Sequence, residues 1–410
     1  MTVVERAHPA APSRAIIRQP WVAPLAIFAL SRVLEGLLIA AAAHDQPARD
    51  SDVGVVDTPA GPDPGYLAAL SNWDGQWYSQ IAHHGYPTEL PREDGVVQQN
   101  AWAYYPLYPG LVRLVMAVSR TSFEVAATMV SIVAGAVAVV VLYRLVEKVG
   151  GRFNALTTVA AVCVFPAAPV LQVGYTESLA LLLVVVCLTL LRDRRFGWLI
   201  VATALLSLTR PIVLPLALVI AIQGAMRWRR RHEVAVSARE LRGYAVAAGF
   251  AVVSFAIWPA VAGIVTGEPD AYFATQRAWI LDEASGWPSW LAHLAQPGER
   301  GPAVLGLLAL AVLVALVARR AARAWGPELR MWGVVYFVYL LGTTRPTSSI
   351  IRYSMLTVVP AWPALSEPGR EPSRRTQAAV LAAIFLIALP LNYLWLRWFF
   401  IPHPGNLGYP

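Results

Sequence analysis

The chain has 410 residues, 57% of them hydrophobic and 14% charged, and a formal net charge of +8. A soluble domain of this size carries about a quarter charged residues. Here the apolar excess falls in runs of about 16 to 25 residues, long enough to cross a ~30 Å hydrocarbon core, so a soluble helical protein, with a polar break every third or fourth position, is excluded.

The basic excess does not call for a nucleic-acid partner, because the arginines sit mostly in short loops between the apolar runs, where topology accounts for them. Cys163 and Cys187 both lie inside apolar runs, which argues against a structural disulfide or a cysteine metal site.

Residues 1–20 are rich in Ala, Pro and Arg and read as a cytoplasmic tail. The run at about 21–43 contains Arg32 and Glu35 and is too long and polar for a cleaved signal segment. It is the expected first span, with Arg32 and Glu35 expected to pair inside the membrane. A long polar segment follows, to about residue 123. Within it the apolar stretch 105–119 contains Arg113 and ends at Arg120, so it is expected to lie at the interface and not to cross.

Further spans are expected near 124–146, 154–171, 176–191, 196–209, 211–226 and 243–265. A second polar segment covers 266–300, and the last spans fall near 301–318, 331–344, 349–364 and 376–399. Residues 401–410 form a second tail. The fold class is therefore an all-α polytopic membrane protein with about eleven transmembrane helices, one membrane domain over 21–400, and a long first outer loop carrying short interfacial helices.

Most of the 33 basic residues fall on one side of this arrangement, in the segments around residues 6–18, 148–152, 192–195, 227–242, 319–330 and 370–375. The positive-inside rule makes that side cytoplasmic. The loops 44–123 and 266–300, and the polar turns near 175, 210 and 346, then collect on the outer face of the cell membrane. Loops this long are usually functional or disordered, and these are too rich in Trp and Tyr to be disordered.

The densest polar cluster is Ser71-Asn72-Trp73-Asp74-Gly75-Gln76-Trp77-Tyr78, followed by His83-His84-Gly85-Tyr86-Pro87 and Tyr104-Tyr105-Pro106-Leu107-Tyr108-Pro109. One acid set among indoles, phenols and amides suits sugar binding, since sugar C–H faces stack on rings while hydroxyls meet Asn, Gln and Asp. The same residues also fit an aromatic belt at headgroup level, with Asp74 capping a helix. Composition leaves both open.

Tyr175-Thr176-Glu177-Ser178 starts a span on the outer face, where a carboxylate is also favoured by the helix dipole alone. Arg210, Arg345 and Arg352 stand at outer helix ends, against the topological bias. A phosphate-bearing ligand accounts for them, and snorkelling is the alternative. Glu268, Asp270, Arg277 and Trp279 in the second loop are placed to line the same cavity. His83 and His84 are adjacent, a poor geometry for a metal pair.

The cluster Trp73-Asp74-Gly75-x-Trp77-Tyr78-x-x-Ile81-Ala82-x-x-Gly85-Tyr86, with Tyr105-Pro106-Leu107-Tyr108-Pro109 after it, resembles the PIG-V-like mannosyltransferases of the GT-C class. Tyr175-Thr176-Glu177-Ser178, Leu208-Thr209-Arg210-Pro211 and Arg352-Tyr353 look like the family's further blocks in the same order. The chain departs from the family in having Tyr104-Tyr105 where paired Phe is common. It also lacks the Asn-Gly that often follows the Arg-Pro pair.

The resemblance implies inverting transfer of a sugar, mannose by default, from a polyprenyl-phosphate donor to a lipid or glycan acceptor. It places the catalytic acid at Asp74. The donor phosphate then falls to Arg210, Arg345, Arg352 and Tyr353. The sugar and acceptor contacts fall to Asn72, Trp73, Gln76, Trp77, Tyr78, His83, Tyr105, Tyr175 and Glu177. A phosphate leaves without protonation, so neither a second acid nor a metal cofactor is needed. A transporter or flippase of lipid-linked sugars is the competing class. Transporters place polar sites near mid-membrane between repeat halves, whereas here the polar residues gather at one face.

Overall fold

The structure is a computed structural model that describes residues 19–44, 46, 65–280, 286–296, 300–357 and 370–402. Most of the two expected tails, the expected span beyond residue 357 and parts of both outer loops lie outside the described residues.

α1 (Val22–Ala43) is followed by a short α2 (Gly65–Ala69) and α3 (Asp74–His84). A two-stranded antiparallel hairpin, β1 (Arg92–Glu93) and β2 (Val96–Val97), pairs Arg92 with Val97. α4 (Leu107–Ser119) has 13 residues, about 20 Å of helix. It is one of the shorter apolar helices, over the stretch expected to lie at the interface.

α5 runs from Phe123 to Cys163 but breaks at Gly151, whose φ of 80° and ψ of 172° are not helical. Only glycine enters that region without strain. The break separates the two spans expected on either side of Lys148 and Arg152. α6 (Glu177–Arg192), α7 (Phe196–Ser207) and α8 (Val213–Arg229) follow. α9 (Ala238–Ser254) opens with a side-chain N-cap: Ser237 Oγ accepts from the Glu240 amide at 3.1 Å. It leads almost directly into α10 (Ile257–Thr266), which ends at left-handed Gly267.

α11 (Ala271–Ile280) and α12 (Trp287–Ala295) lie in the second outer segment. α13 (Arg300–Ala318) and α14 (Gly326–Thr343) follow, the latter with Pro327 in its first turn, where its missing N–H costs nothing. α15 (Ser349–Ser354) passes into a 3₁₀ turn, Met355–Thr357, so the described part of the span expected at 349–364 is a short helix and a turn. α16 (Arg374–Trp395) ends in a π turn, Leu396–Phe400.

Among the described residues, four helical stretches are long and apolar enough to cross a membrane by length and composition: Val22–Ala43, Phe123–Cys163, Ala238–Thr266 and Arg374–Phe400. The other expected spans appear as shorter apolar helices packed around them. α5 is the hub, in contact with α1, α4, α6 and α16. Leu37, Val133, Val253, Ile264, Leu305 and Leu386 are exposed on the outside of the bundle, the apolar exterior that a lipid-facing protein requires and a soluble one avoids.

The first helix departs from expectation in one detail. Arg32 and Glu35 are both buried but do not pair with each other. Arg32 donates to the carbonyls of Ala168 and Cys163 at 2.9 and 2.6 Å. Glu35 accepts from Asn392 Nδ2 at 2.6 Å. The Cys163 carbonyl left open where α5 ends, and that of Ala168 in the 3₁₀ turn after it, hold the guanidinium, and the acid instead ties α1 to α16.

Candidate active site

Stretches far apart in sequence meet at one end of the bundle, and hydrogen bonds from backbone and side chains link them. The Gly174 amide donates to Leu70 O at 2.8 Å, and the Leu107 amide to Leu208 O at 2.9 Å. Tyr175 Oη donates to Asn72 O at 3.1 Å. Trp73 Nε1 donates to Phe400 O at 2.7 Å, and Asn72 Nδ2 to Gln46 Oε1 at 2.9 Å. A side chain at Gly174 would be crowded: a Cβ there would come within 3.2 Å of Leu70 O.

These bonds hold Trp73 at φ +55°, a conformation that strains a bulky residue and persists only where the surroundings over-determine it. The consequence is a sharp turn that sets Asp74 as the first residue of α3. There the helix dipole favours a negative charge.

Asp74 anchors a chain of alternating charges. Arg352 Nη1 lies 2.5 Å from Asp74 Oδ2 and 3.3 Å from Glu177 Oε1. Glu177 Oε1 in turn lies 2.6 Å from Arg210 Nη1. The side chains of Glu177 and Arg352 are buried, at 0% and 3% exposed, whereas that of Asp74 is 25% exposed. The acid is thus the member that opens outward. Arg352 is sandwiched between the rings of Tyr175 and Tyr353, 4.9 and 4.8 Å from their centroids. Arg210 sits 4.9 Å from the Tyr353 centroid.

The arrangement pairs two carboxylates with two guanidiniums, so Arg210 and Arg352 are not the uncompensated charges that the sequence pattern implied. Arg352 Nε and Glu177 Oε2 are buried and have no hydrogen-bond partner among the described residues. Breaking a buried ion pair by removing one partner typically costs about 3–5 kcal/mol. Glu177→Ala, which strips the shared acceptor from both arginines, is therefore expected to lower the thermal midpoint of the detergent-purified protein by a cost of that order. Glu177→Gln keeps an acceptor oxygen and is expected to lose less; an unchanged midpoint in both variants would show that Glu177 carries no weight in the network.

Asp74's second oxygen accepts from Tyr104 Oη at 3.2 Å. Burial, and then the adjacent Asp74 carboxylate, push the Tyr104 phenol well above its ordinary range, so it remains a neutral donor. Tyr104 stacks on Trp77, with ring centroids 5.7 Å apart and planes 14° apart. Trp279, from the second outer segment, packs edge-on against both. A cavity of about 440 Å³ adjoins this group, bordered by Trp77, Gln80, Gln99 and Asn100. The first and second polar segments thus combine into one aromatic wall beside the acid.

Asn72, Trp73, Gln76, Trp77, Tyr78, Tyr175, Glu177, Arg210, Arg352 and Tyr353 all belong to the segments gathered here. Asn72 and Gln76 are buried, and Asn72 supports the turn before Asp74. Tyr78 Oη donates to Thr176 Oγ1 at 3.5 Å.

Three expected residues stand elsewhere. Tyr105 points the other way, its hydroxyl 3.0 Å from that of Tyr272 in a second aromatic cluster with Trp258. Its neighbour Tyr104 is the residue that reaches Asp74. Successive residues of an extended segment face opposite sides, and the Tyr-Tyr doublet carried no signal as to which faced the acid. His83 is exposed, its Nδ1 2.8 Å from Ser79 O. It lies nine residues along α3 from Asp74, about 13 Å away. Arg345 reaches towards Trp279, with Nη2 3.5 Å from that residue's carbonyl oxygen. In the second loop, Arg277 pairs with Asp270, and Glu268 with Arg92, so of that group only Trp279 reaches the wall.

No protein-family model matches the sequence, and neither does any curated protein. Solved structures do match its fold. ArnT from Cupriavidus metallidurans bound to undecaprenyl phosphate aligns with a TM-score of 0.50 at 14% identity, over 88% of this chain and 63% of that one. The oligosaccharyltransferase from Archaeoglobus fulgidus in the apo form aligns with a TM-score of 0.50 at 13% identity, over 95% of this chain and 57% of that one. The chain therefore spans about three-fifths of the length of these neighbours. What it shares with them is the polytopic helical fold.

Proposed function

We propose that this protein is an inverting glycosyltransferase of the PIG-V-like type, which moves a sugar, mannose by default, from a polyprenyl-phosphate donor to a lipid or glycan acceptor at the outer face of the membrane. The observation that carries the reading is Asp74, a partly exposed carboxylate held by a buried guanidinium at the mouth of an aromatic-lined site. The fold it shares with ArnT, a structure that holds undecaprenyl phosphate, supports a lipid-phosphate donor.

In an inverting transfer the acceptor hydroxyl attacks the anomeric carbon as the bond to the phosphate breaks. The electron pair leaves with the phosphate, and the hydroxyl proton passes to a base within hydrogen-bond reach. Asp74 suits that base. Each carboxylate oxygen has two acceptor sites, so one on each oxygen stays open after Arg352 and Tyr104 are bound. Charge then grows on the departing phosphate oxygens, where fixed cations stabilise it without reorganising. Arg352 offers its unpartnered Nε–H to that role, with Arg210 and Arg345 as further cations. Tyr353 adds a hydroxyl, 3.2 Å from Arg352 Nη2.

Incubating the purified protein with radiolabelled polyprenyl-phosphate-mannose and a membrane extract as acceptor tests the reading, with labelled product expected. Failure to transfer label from any polyprenyl-phosphate sugar would overturn it.

The outward orientation has its own test. Val96 is exposed in the hairpin near the site, and Ala235 is exposed in the arginine-rich connection between α8 and α9. On intact cells, Val96→Cys is expected to react with an impermeant thiol reagent and Ala235→Cys is not. The reverse pattern would put the site on the cytoplasmic side.

A further inference from the structure

The arginine-rich end of the bundle holds a built cavity that the proposed reaction does not use. α6 runs from Glu177, in the charge network, to Arg192. Its 16 residues span about 24 Å, so the two ends of this helix belong to two separate polar regions.

Two adjoining cavities of about 560 and 230 Å³ open at the far end, and Arg194 borders both. Between them they are lined by six arginines, at positions 192, 194, 227, 230, 239 and 242, against two acids, Glu240 and Glu328. The acids are already engaged. Glu240 holds Arg227 at 2.8 Å and Arg194 at 3.4 Å, while Glu328 holds Arg192 at 3.5 Å and accepts from Gln223 at 2.7 Å. Among the described residues Arg230, Arg239 and Arg242 have no ion-pair partner. The cavity therefore has positive charge left over, and the capped N-terminus of α9 adds to it.

The larger cavity is not purely polar. Phe196, Ile200 and Val246 form part of its wall beside the arginines. Trp198 and Trp228, 65% and 52% exposed, stand on the neighbouring turns of α7 and α8, and Arg231 caps the Trp228 ring at 4.3 Å. Exposed indoles next to arginines mark the depth at which lipid headgroups meet the acyl region. A free phosphate would use the guanidiniums and leave the apolar wall in contact with water. A phospholipid uses both, with its phosphate among the arginines and its chains along α7 and α9.

We propose that this cavity binds the headgroup of an anionic phospholipid, as a site separate from the transferase centre. Native mass spectrometry of the full chain, purified in neutral detergent and titrated with phosphatidylglycerol or phosphatidylcholine, tests it. The wild type is expected to retain phosphatidylglycerol selectively. The triple variant Arg230→Gln/Arg239→Gln/Arg242→Gln removes only unpaired charges. It is expected to bind phosphatidylglycerol about a hundredfold more weakly, roughly fivefold per guanidinium, with phosphatidylcholine binding unaltered. Should the triple variant not purify, Arg242→Gln alone is expected to show the fivefold step. Equal retention of the two lipids by the wild type would overturn the proposal, as would undiminished phosphatidylglycerol binding by the variants. Inorganic phosphate that displaces the lipid at equal concentration would also overturn it, by showing a site for the free anion.

Discussion

Asp74→Asn is expected to reduce sugar transfer about a thousandfold at saturating donor, while the protein still purifies as a folded monodisperse species. General-base catalysis contributes about 10²- to 10⁴-fold, and an amide cannot take the proton that Asp74 is proposed to accept. The substitution is nearly isosteric. Its remaining carbonyl oxygen can still accept from either Arg352 or Tyr104, and Arg352 keeps Glu177 at 3.3 Å. The effect should therefore appear in turnover more than in stability. Single-turnover transfer, measured beside the thermal midpoint, separates the two. A folded Asp74→Asn protein that transfers at the wild-type rate would remove Asp74 from the chemistry.

Arg352→Ala is expected to damage both stability and donor use, because its guanidinium is shared between two acids. Its removal leaves Glu177 with Arg210 and takes from Asp74 the guanidinium that holds it. The structural cost is that of breaking a buried pair, about 3–5 kcal/mol. If Arg352 also holds the donor phosphate, a charge-assisted contact worth about 1.5–3 kcal/mol is lost as well, or about 10- to 150-fold in kcat/KM for the donor. Arg352→Lys restores the charge but not the planar fork that reaches Asp74, Glu177 and Tyr353 together. It is expected to recover most of the stability and only part of the activity. Turnover as a function of donor concentration for both variants decides the matter. If Arg352→Lys regains full stability and wild-type donor dependence, Arg352 acts as a structural charge alone.

Much of the architecture was legible in the chain itself, because it rests on local and one-dimensional quantities. Span positions follow from the length of apolar runs. The break in α5 follows from the Gly151 region between two runs. Asp74, Glu177, Arg210 and Arg352 could be singled out because charges near apolar helix ends are costly enough to need a reason. Pairing lies beyond such reasoning. Nothing in the spacing says that Arg352 spans Asp74 and Glu177, 278 and 175 residues away, or that Glu177 also holds Arg210. Nor does it say that Arg32 turns from Glu35, one helical turn away, to the carbonyls of Cys163 and Ala168.

The same holds for the aromatic wall. The Tyr104-Tyr105 doublet is symmetric in sequence, and only the packing of the second outer segment turns Tyr104 with Trp77 and Trp279 towards the acid and Tyr105 towards Tyr272 and Trp258. Sequence by itself determined the membrane class and the all-helical fold, since both depend on hydrophobicity along the chain. Which charges neutralise one another, and which phenol meets the acid, was decided only by the tertiary structure. Those choices depend on contacts of a few ångströms between segments that share no local signal.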